Sequence, residues 1–184
     1  MSFLERRARS LAMLIGSIFK DPLIWEWMQT DAASGEQYCD ELQNQGWPQQ
    51  DGPVRKAWQA WQVSMGRHRH TISLLEQHKS TASLQTTCVK ALCVIAIFNQ
   101  DTHRAVGESG GLEAIIDAGR NFPYDEPLQE WLCANGVGCL ADEYQANRDK
   151  FRELGAVELC IQSWKNFPFN ARVGFGVGAA FAGM

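Results

Sequence analysis

One short phrase occurs twice in this chain, 45 residues apart: Arg120-Asn121-Phe122-Pro123-Tyr124 returns as Lys165-Asn166-Phe167-Pro168-Phe169. Ten residues before each copy stands a small-residue pair followed by an apolar-Glu dipeptide, Gly110-Gly111-Leu112-Glu113 and Gly155-Ala156-Val157-Glu158. A period near 45 with helical patterning and no strand signal predicts an all-α fold, an α-solenoid of stacked helical units. A unit of that size cannot bury its apolar face alone, so neighbouring units must cover one another. The expected job of such an array is binding.

The long helix of each unit carries the clearest pattern. From Leu84 the chain is apolar at Leu84, Cys88, Ala91, Leu92, Ile95 and Ala96, the i, i+3, i+4, i+7 stripe of a helix. The next copy runs from Leu128-Gln129 to Leu140-Ala141 and is one residue longer; the last begins at Val173. Prolines mark the turns before two of them: Pro123 and Pro127 bracket one loop and Pro168 serves the other, while His78-Lys79-Ser80-Thr81 fills that place in the first unit. Glycine in the small-residue pair permits a left-handed corner between two short helices.

A short helix, a Gly-Gly or Gly-Ala corner, a second helix, a turn and a long third helix with an Asn-rich link resemble the armadillo-repeat family. The resemblance covers 53–184 and is strongest from Thr102 onward. Near Gly66, Arg67-His68-Arg69-His70 replaces the apolar start of the second helix. It implies a right-handed α-solenoid of about three repeats, at 53–99, 100–144 and 145–184, the last incomplete. HEAT repeats, the nearest competitor, have two helices and usually lack the glycine corner.

Residues 1–52 show no repeat. Helices are expected over 2–19, after Asp21-Pro22 through Leu23, Ile24, Trp25, Trp27 and Met28, and over 34–45 before Gly46-Trp47-Pro48. This region reads as an N-terminal helical cap over the open end of the stack. Downstream, Val54, Ala57, Trp58, Trp61 and Met65 form a helical stripe assigned to the core. Arg6, Arg7 and Arg9 before an apolar run are compatible with an organelle presequence or a signal peptide, but no small-residue cleavage site follows and an amphipathic helix is expected.

Charge is uneven. The whole chain carries −4, yet 52–90 holds six basic residues against Glu76, and 91–184 holds seven basic against twelve acidic. The basic unit is either a solvated face or a docking patch for an acidic partner, with Arg67 and Arg69 as its candidates. His68 and His70, two apart on a helix, face apart and do not suggest a shared metal. Six cysteines without a CxxC, with Cys88 and Cys133 at one point of successive units, read as reduced core residues and an intracellular, cytoplasmic setting. No cofactor or metal is expected, and no stretch reaches the ~20 apolar residues of a membrane span.

Catalytic motifs are lacking. Gly174-Phe175-Gly176-Val177-Gly178 has no preceding strand, so it does not read as a dinucleotide loop. In peptide-binding members of the armadillo family, a Trp and an Asn four residues later on the third helix grip an extended peptide. Trp131 and Asn135 have that spacing but not that phase: aligned on the Leu-Ala end, the positions fall near Ala134 and Gly138, and at Lys90 and Val94 in the first unit. Lys90, Trp131 and Asn135 are therefore candidate partner contacts without an asparagine ladder.

The final helix, with Phe175, Gly176, Gly178 and Phe181 and no charge after Arg172, is a candidate docking helix. The functional expectation is a non-catalytic protein-binding or scaffold module whose partner is a protein. The alternatives are a permanent structural subunit of a larger complex, joined through the C-terminal helix, and a nucleic-acid-associated factor using the basic first unit. Net acidity and the absence of a recognition motif weigh against nucleic acid.

Overall fold

The computed structural model describes residues 32–44, 52–142 and 144–183, and all regular structure among them is helical. Eleven α-helices follow in order: α1 (Ala32–Asn44), α2 (Pro53–Ser64), α3 (Arg67–Gln77), α4 (Ala82–Ala96), α5 (Gln100–Glu108), α6 (Gly111–Asn121), α7 (Glu126–Trp131), α8 (Gly138–Asp142), α9 (Gln145–Glu153), α10 (Ala156–Asn166) and α11 (Ala171–Gly183). A π-helical segment, Leu132–Val137, joins α7 to α8, so the three form one long rod. The expected helices over 2–19 and around Trp25, the Gly46-Trp47-Pro48 stop and the linker after it lie outside the described residues.

From α2 onward the helices come as short, short, long: α2–α3–α4, α5–α6–α7/π/α8 and α9–α10–α11. Each short pair turns on a glycine with positive φ, Gly66 (71°), Gly110 (84°) and Gly155 (66°), where an L side chain would be strained. Gly111 adds a packing reason for the second glycine of its pair, since a Cβ there would lie 2.8 Å from the Val106 carbonyl oxygen. Phe122 and Phe167, ending α6 and α10, share nearly one backbone geometry (φ −127°, ψ 62° and φ −129°, ψ 61°), which the recurring Asn-Phe-Pro predicts. The second and third long rods start on polar side-chain caps. Asp125 accepts from the Leu128 N–H (3.0 Å), and Asn170 accepts from Val173 (3.1 Å). Pro127 stands inside the first turn of α7 rather than in the loop, where its missing N–H does no harm.

Buried amides tie the helices of a triplet together. Gln85 Nε2 donates to the carbonyls of Leu75 (2.9 Å) and His78 (3.1 Å), satisfying the open C-terminal end of α3. Gln129 does the same for α6, donating to Gly119 (2.8 Å) and Phe122 (2.9 Å). At the next junction Thr102 bonds the Ala96 carbonyl and Asn147 bonds the Leu140 carbonyl, both 3.1 Å. The donors sit at matching places in successive triplets, Gln85 with Gln129 and Thr102 with Asn147. The third triplet has Gly174 where the first two have glutamine.

One apolar cluster runs through the described residues, from Tyr38 and Leu42 on α1, through Leu84, Leu92 and Ile95 on α4 and Leu132 and Val137, to Val173 and Ala180 on α11. The helix expected over 34–45 is α1. It packs along α4.

The assignment of α2 requires correction. Val54 is 72 % exposed and Ala57 is exposed, Trp58, Trp61 and Met65 are half-buried, and the buried positions are Arg55, Gln59 and Gln62. The reason is polar: Gln59 donates to the Ile97 carbonyl (2.8 Å) and accepts from Asn99 (3.0 Å), turning its own face toward the end of α4. A buried carbonyl at a helix end demands a donor, and that demand outweighs the apolar stripe on the opposite side.

The extra residue of the second long rod can be placed. Gln85 and Gln129 are 44 apart, whereas Cys88 and Cys133 are 45 apart, so the insertion falls between Gln129 and Cys133. The π-helical turn begins there, and a single widened turn is how a helix absorbs one added residue without losing its register beyond.

Candidate interaction surface

The three long rods bring a row of polar side chains together across their neighbouring faces. On α4, Lys90 Nζ sits 5.9 Å from the ring centroid of Trp131 at the end of α7. Next to Trp131, Glu130 binds Arg172 and Asn170 at the start of α11. Partial burial would raise the Glu130 carboxyl, but bonds from Arg172 and Asn170 and the charges of Arg172 and Lys90 outweigh it and hold it below the ordinary range. Lys90, Glu130 and Arg172 therefore alternate in sign across three rods. Trp131 rests partly on the core and partly open. Asn135 is half-exposed within the π segment, where four residues no longer complete a turn, so it does not repeat the position of Trp131. At the phase-corrected places, Ala134 and Val94 are buried, and Gly138 packs against Ala179.

Arg67 and Arg69 occupy different environments. Arg67 is half-buried, its guanidinium 4.8 Å over the Trp61 ring and near Tyr38 and Glu41 of α1. Burial lowers its pKa against the opposing pull of those two groups. Arg69 is exposed and lines an open cleft of about 440 Å³ with Ser64, His68, Glu108 and Ser109. His68 is 2 % exposed, and burial, reinforced by the Arg69 charge, holds its imidazole down at about 4. His70 is buried edge-on to the Tyr38 ring at 4.7 Å. The basic run is thus one side chain stacked inward, two histidines in the core and one free surface cation, rather than a uniform patch.

The candidate docking helix divides into two faces. Val173, Gly176, Val177 and Ala180 turn inward; a Cβ on Gly176 would lie 2.5 Å from the Ala134 backbone nitrogen. The closeness that three glycines allow is thus spent inside the chain at Gly176, whereas a Cβ on Gly178 would meet nothing within 4 Å. Phe175 and Phe181 point outward, 70 % and 59 % exposed, and Phe169 at the preceding turn is 99 % exposed.

Sequence reasoning missed Glu130, Asn170 and Arg172. Their signal was present as opposite charges 42 residues apart near the starts of successive long rods. Among the described residues no group of three or more His, Cys, Asp or Glu is placed to hold a metal ion, and no helix is long and apolar enough to cross a membrane. Comparison with protein-family models, with curated proteins and with solved structures finds no match in any of the three.

Proposed function

We propose that this chain is a small armadillo-like solenoid of about three repeats that acts as a non-catalytic protein-binding or assembly module. The row formed by Lys90, Trp131, Glu130 and Arg172 is its partner-binding surface. The observation that carries the reading is the repetition of one set of bonds: glycine corners at Gly66, Gly110 and Gly155, and carbonyl clamps at Gln85 and Gln129. Units that share their internal bonds stack in one way and present their long rods side by side. A half-open tryptophan flanked by charges is the composition of a binding hot spot with a steering rim. Arg69, free on the surface, adds to steering of an acidic partner.

The test is a pull-down with the tagged full chain, read by mass spectrometry, beside the double variant Lys90→Glu, Trp131→Ala. Both proteins are first matched for size and helical content. Proteins captured by the original chain and lost by the variant support the surface; an identical set in both overturns it.

A second reading, a permanent structural subunit, is favoured by the exposed Phe169, Phe175 and Phe181 near α11. It predicts that the isolated chain self-associates and that Phe175→Ser, Phe181→Ser makes it monomeric. If the original chain is already monomeric at high concentration, that reading fails.

A further inference from the structure

The sulfurs of Cys39 on α1 and Cys88 on α4 approach to 2.8 Å, and neither residue has any solvent exposure. They join parts of the chain 49 residues apart, across the seam between the covering helix and the first long rod. Around them the same seam holds two polar bonds: Ser83 Oγ donates to the Glu36 carboxylate (3.0 Å), and Gln43 Nε2 donates to the Thr87 carbonyl (3.1 Å). Tyr38 and Leu42 supply the apolar part of the contact. Each interaction is individually modest, so α1 is a 13-residue helix held by non-covalent contacts to the most buried helix among the described residues.

We propose that Cys39 and Cys88 are a modification site: a thiol pair that closes to a disulfide and fastens α1 covalently onto α4. The oxidant is a small-molecule disulfide of the glutathione class. In the first step the Cys39 thiolate attacks one sulfur of that disulfide, forming a mixed disulfide and expelling one small thiolate. In the second, the Cys88 thiolate attacks the Cys39 sulfur, forming the protein disulfide and expelling the other small thiolate. The two protein thiols lose two electrons and two protons; the small disulfide gains them and leaves as two thiols. Excess dithiol reverses the exchange.

The geometry also sets the rate. Burial pushes the Cys88 thiol well above its ordinary range, with the neighbouring Cys39 adding to the shift. A buried thiol is a poor nucleophile and meets no oxidant, so exchange begins only when α1 lifts. Once the mixed disulfide has formed, reseating α1 returns the two sulfurs to contact and favours the intramolecular step. The site therefore stays reduced in a reducing compartment and locks in an oxidising one. None of this depends on what the row of long rods binds.

A second buried pair provides the internal comparison. Cys133 in the π segment and Cys160 on α10 also share a hydrogen bond, but Cys133 is bonded to Ser163 as well. Its backbone is wedged against Gly176.

The experiment incubates the full chain with oxidised glutathione, without denaturant, and follows intact mass and non-reducing peptide maps. The expected result is loss of two hydrogens with Cys39 and Cys88 in one linked peptide. The thermal midpoint should rise by roughly 5–10 °C and return on adding dithiothreitol. Cys39→Ser and Cys88→Ser should each abolish both changes, and Cys93→Ser should leave them intact. A glutathione adduct that never resolves, a bridge mapped to Cys133 and Cys160, or thiols that all survive treatment would overturn the proposal. Because the peptide map is read on the unaltered chain, poor folding of a variant does not blunt the test.

Discussion

The first and last triplets are built on one plan and buried to very different depths. In α4, twelve of fifteen residues are buried, among them Gln85, Thr86 and Thr87. In α11, the buried positions with described side chains are Val173, Gly176, Val177 and Ala180. The composition runs the other way, since α11 carries no polar residue beyond Arg172. What differs is the neighbourhood: α4 lies between α1 on one side and α7 with the π segment on the other, whereas α11 packs on α10 and the π segment and leaves Phe175 and Phe181 open. In stacked helices, burial is decided by who stands alongside, and hydropathy only by what can be tolerated there.

The largest expected effect comes from removing side-chain volume at corresponding depths. Leu92→Ala, in fully buried α4, should destabilise the chain by about 2–5 kcal/mol in urea unfolding. Phe175→Ala, on the open face of α11, should change stability by no more than about 0.5 kcal/mol. Equal losses would mean that α11 is covered in solution, and would break the comparison.

Adding volume sharpens it within α11 itself. Gly176→Ala forces a methyl into the Cys133–Ala134 backbone and should cost about 1–3 kcal/mol. Gly178→Ala meets open space and should stabilise by up to about 1 kcal/mol through helix propensity. The two alanines should therefore shift the urea midpoint in opposite directions.

Polar clamps come next. Gln85→Met strands the Leu75 and His78 carbonyls at the end of α3 and should cost about 1–3 kcal/mol. The last triplet already lacks this clamp, with Gly174 in its place, so Gly174→Ala should be far milder: a Cβ there approaches only Trp164 Nε1, at 3.8 Å.

The last effect is one of pH and is absent at neutrality. His68 titrates at about 4 in the folded chain against 6.5 ordinarily, because it is buried beside Arg69. As pH falls below 6.5 the unfolded chain takes up the proton first. Its contribution to stability is therefore complete above that value and declines between 6.5 and about 4. His68→Gln should flatten the stability profile in that window. The last triplet has Val157 near the corresponding place and should contribute no such slope.

These contrasts also mark what could be read from residues alone. The turns were legible, because Asn-Phe-Pro and the glycine pairs impose backbone geometry locally, and so were the long helices with their apolar stripes. The orientation of α2 was not, since Gln59 is directed inward by the Ile97 carbonyl, an obligation created by another helix 38 residues away. The added residue of the second rod was visible as a change of offset from 44 to 45, but its form as a π turn was not. Of the candidate contacts, Lys90 and Trp131 meet, Arg67 turns inward, and Glu130 with Arg172 emerges only when two rods are set side by side.

Hydrogen exchange on the isolated full chain tests most directly whether three triplets share one core with burial set by neighbours. Amides of α4 should exchange only through global unfolding, those of the π segment nearly as slowly, and those of α11 markedly faster through local opening. Uniform protection from α4 to α11, or an α4 that opens before α11, would contradict the account.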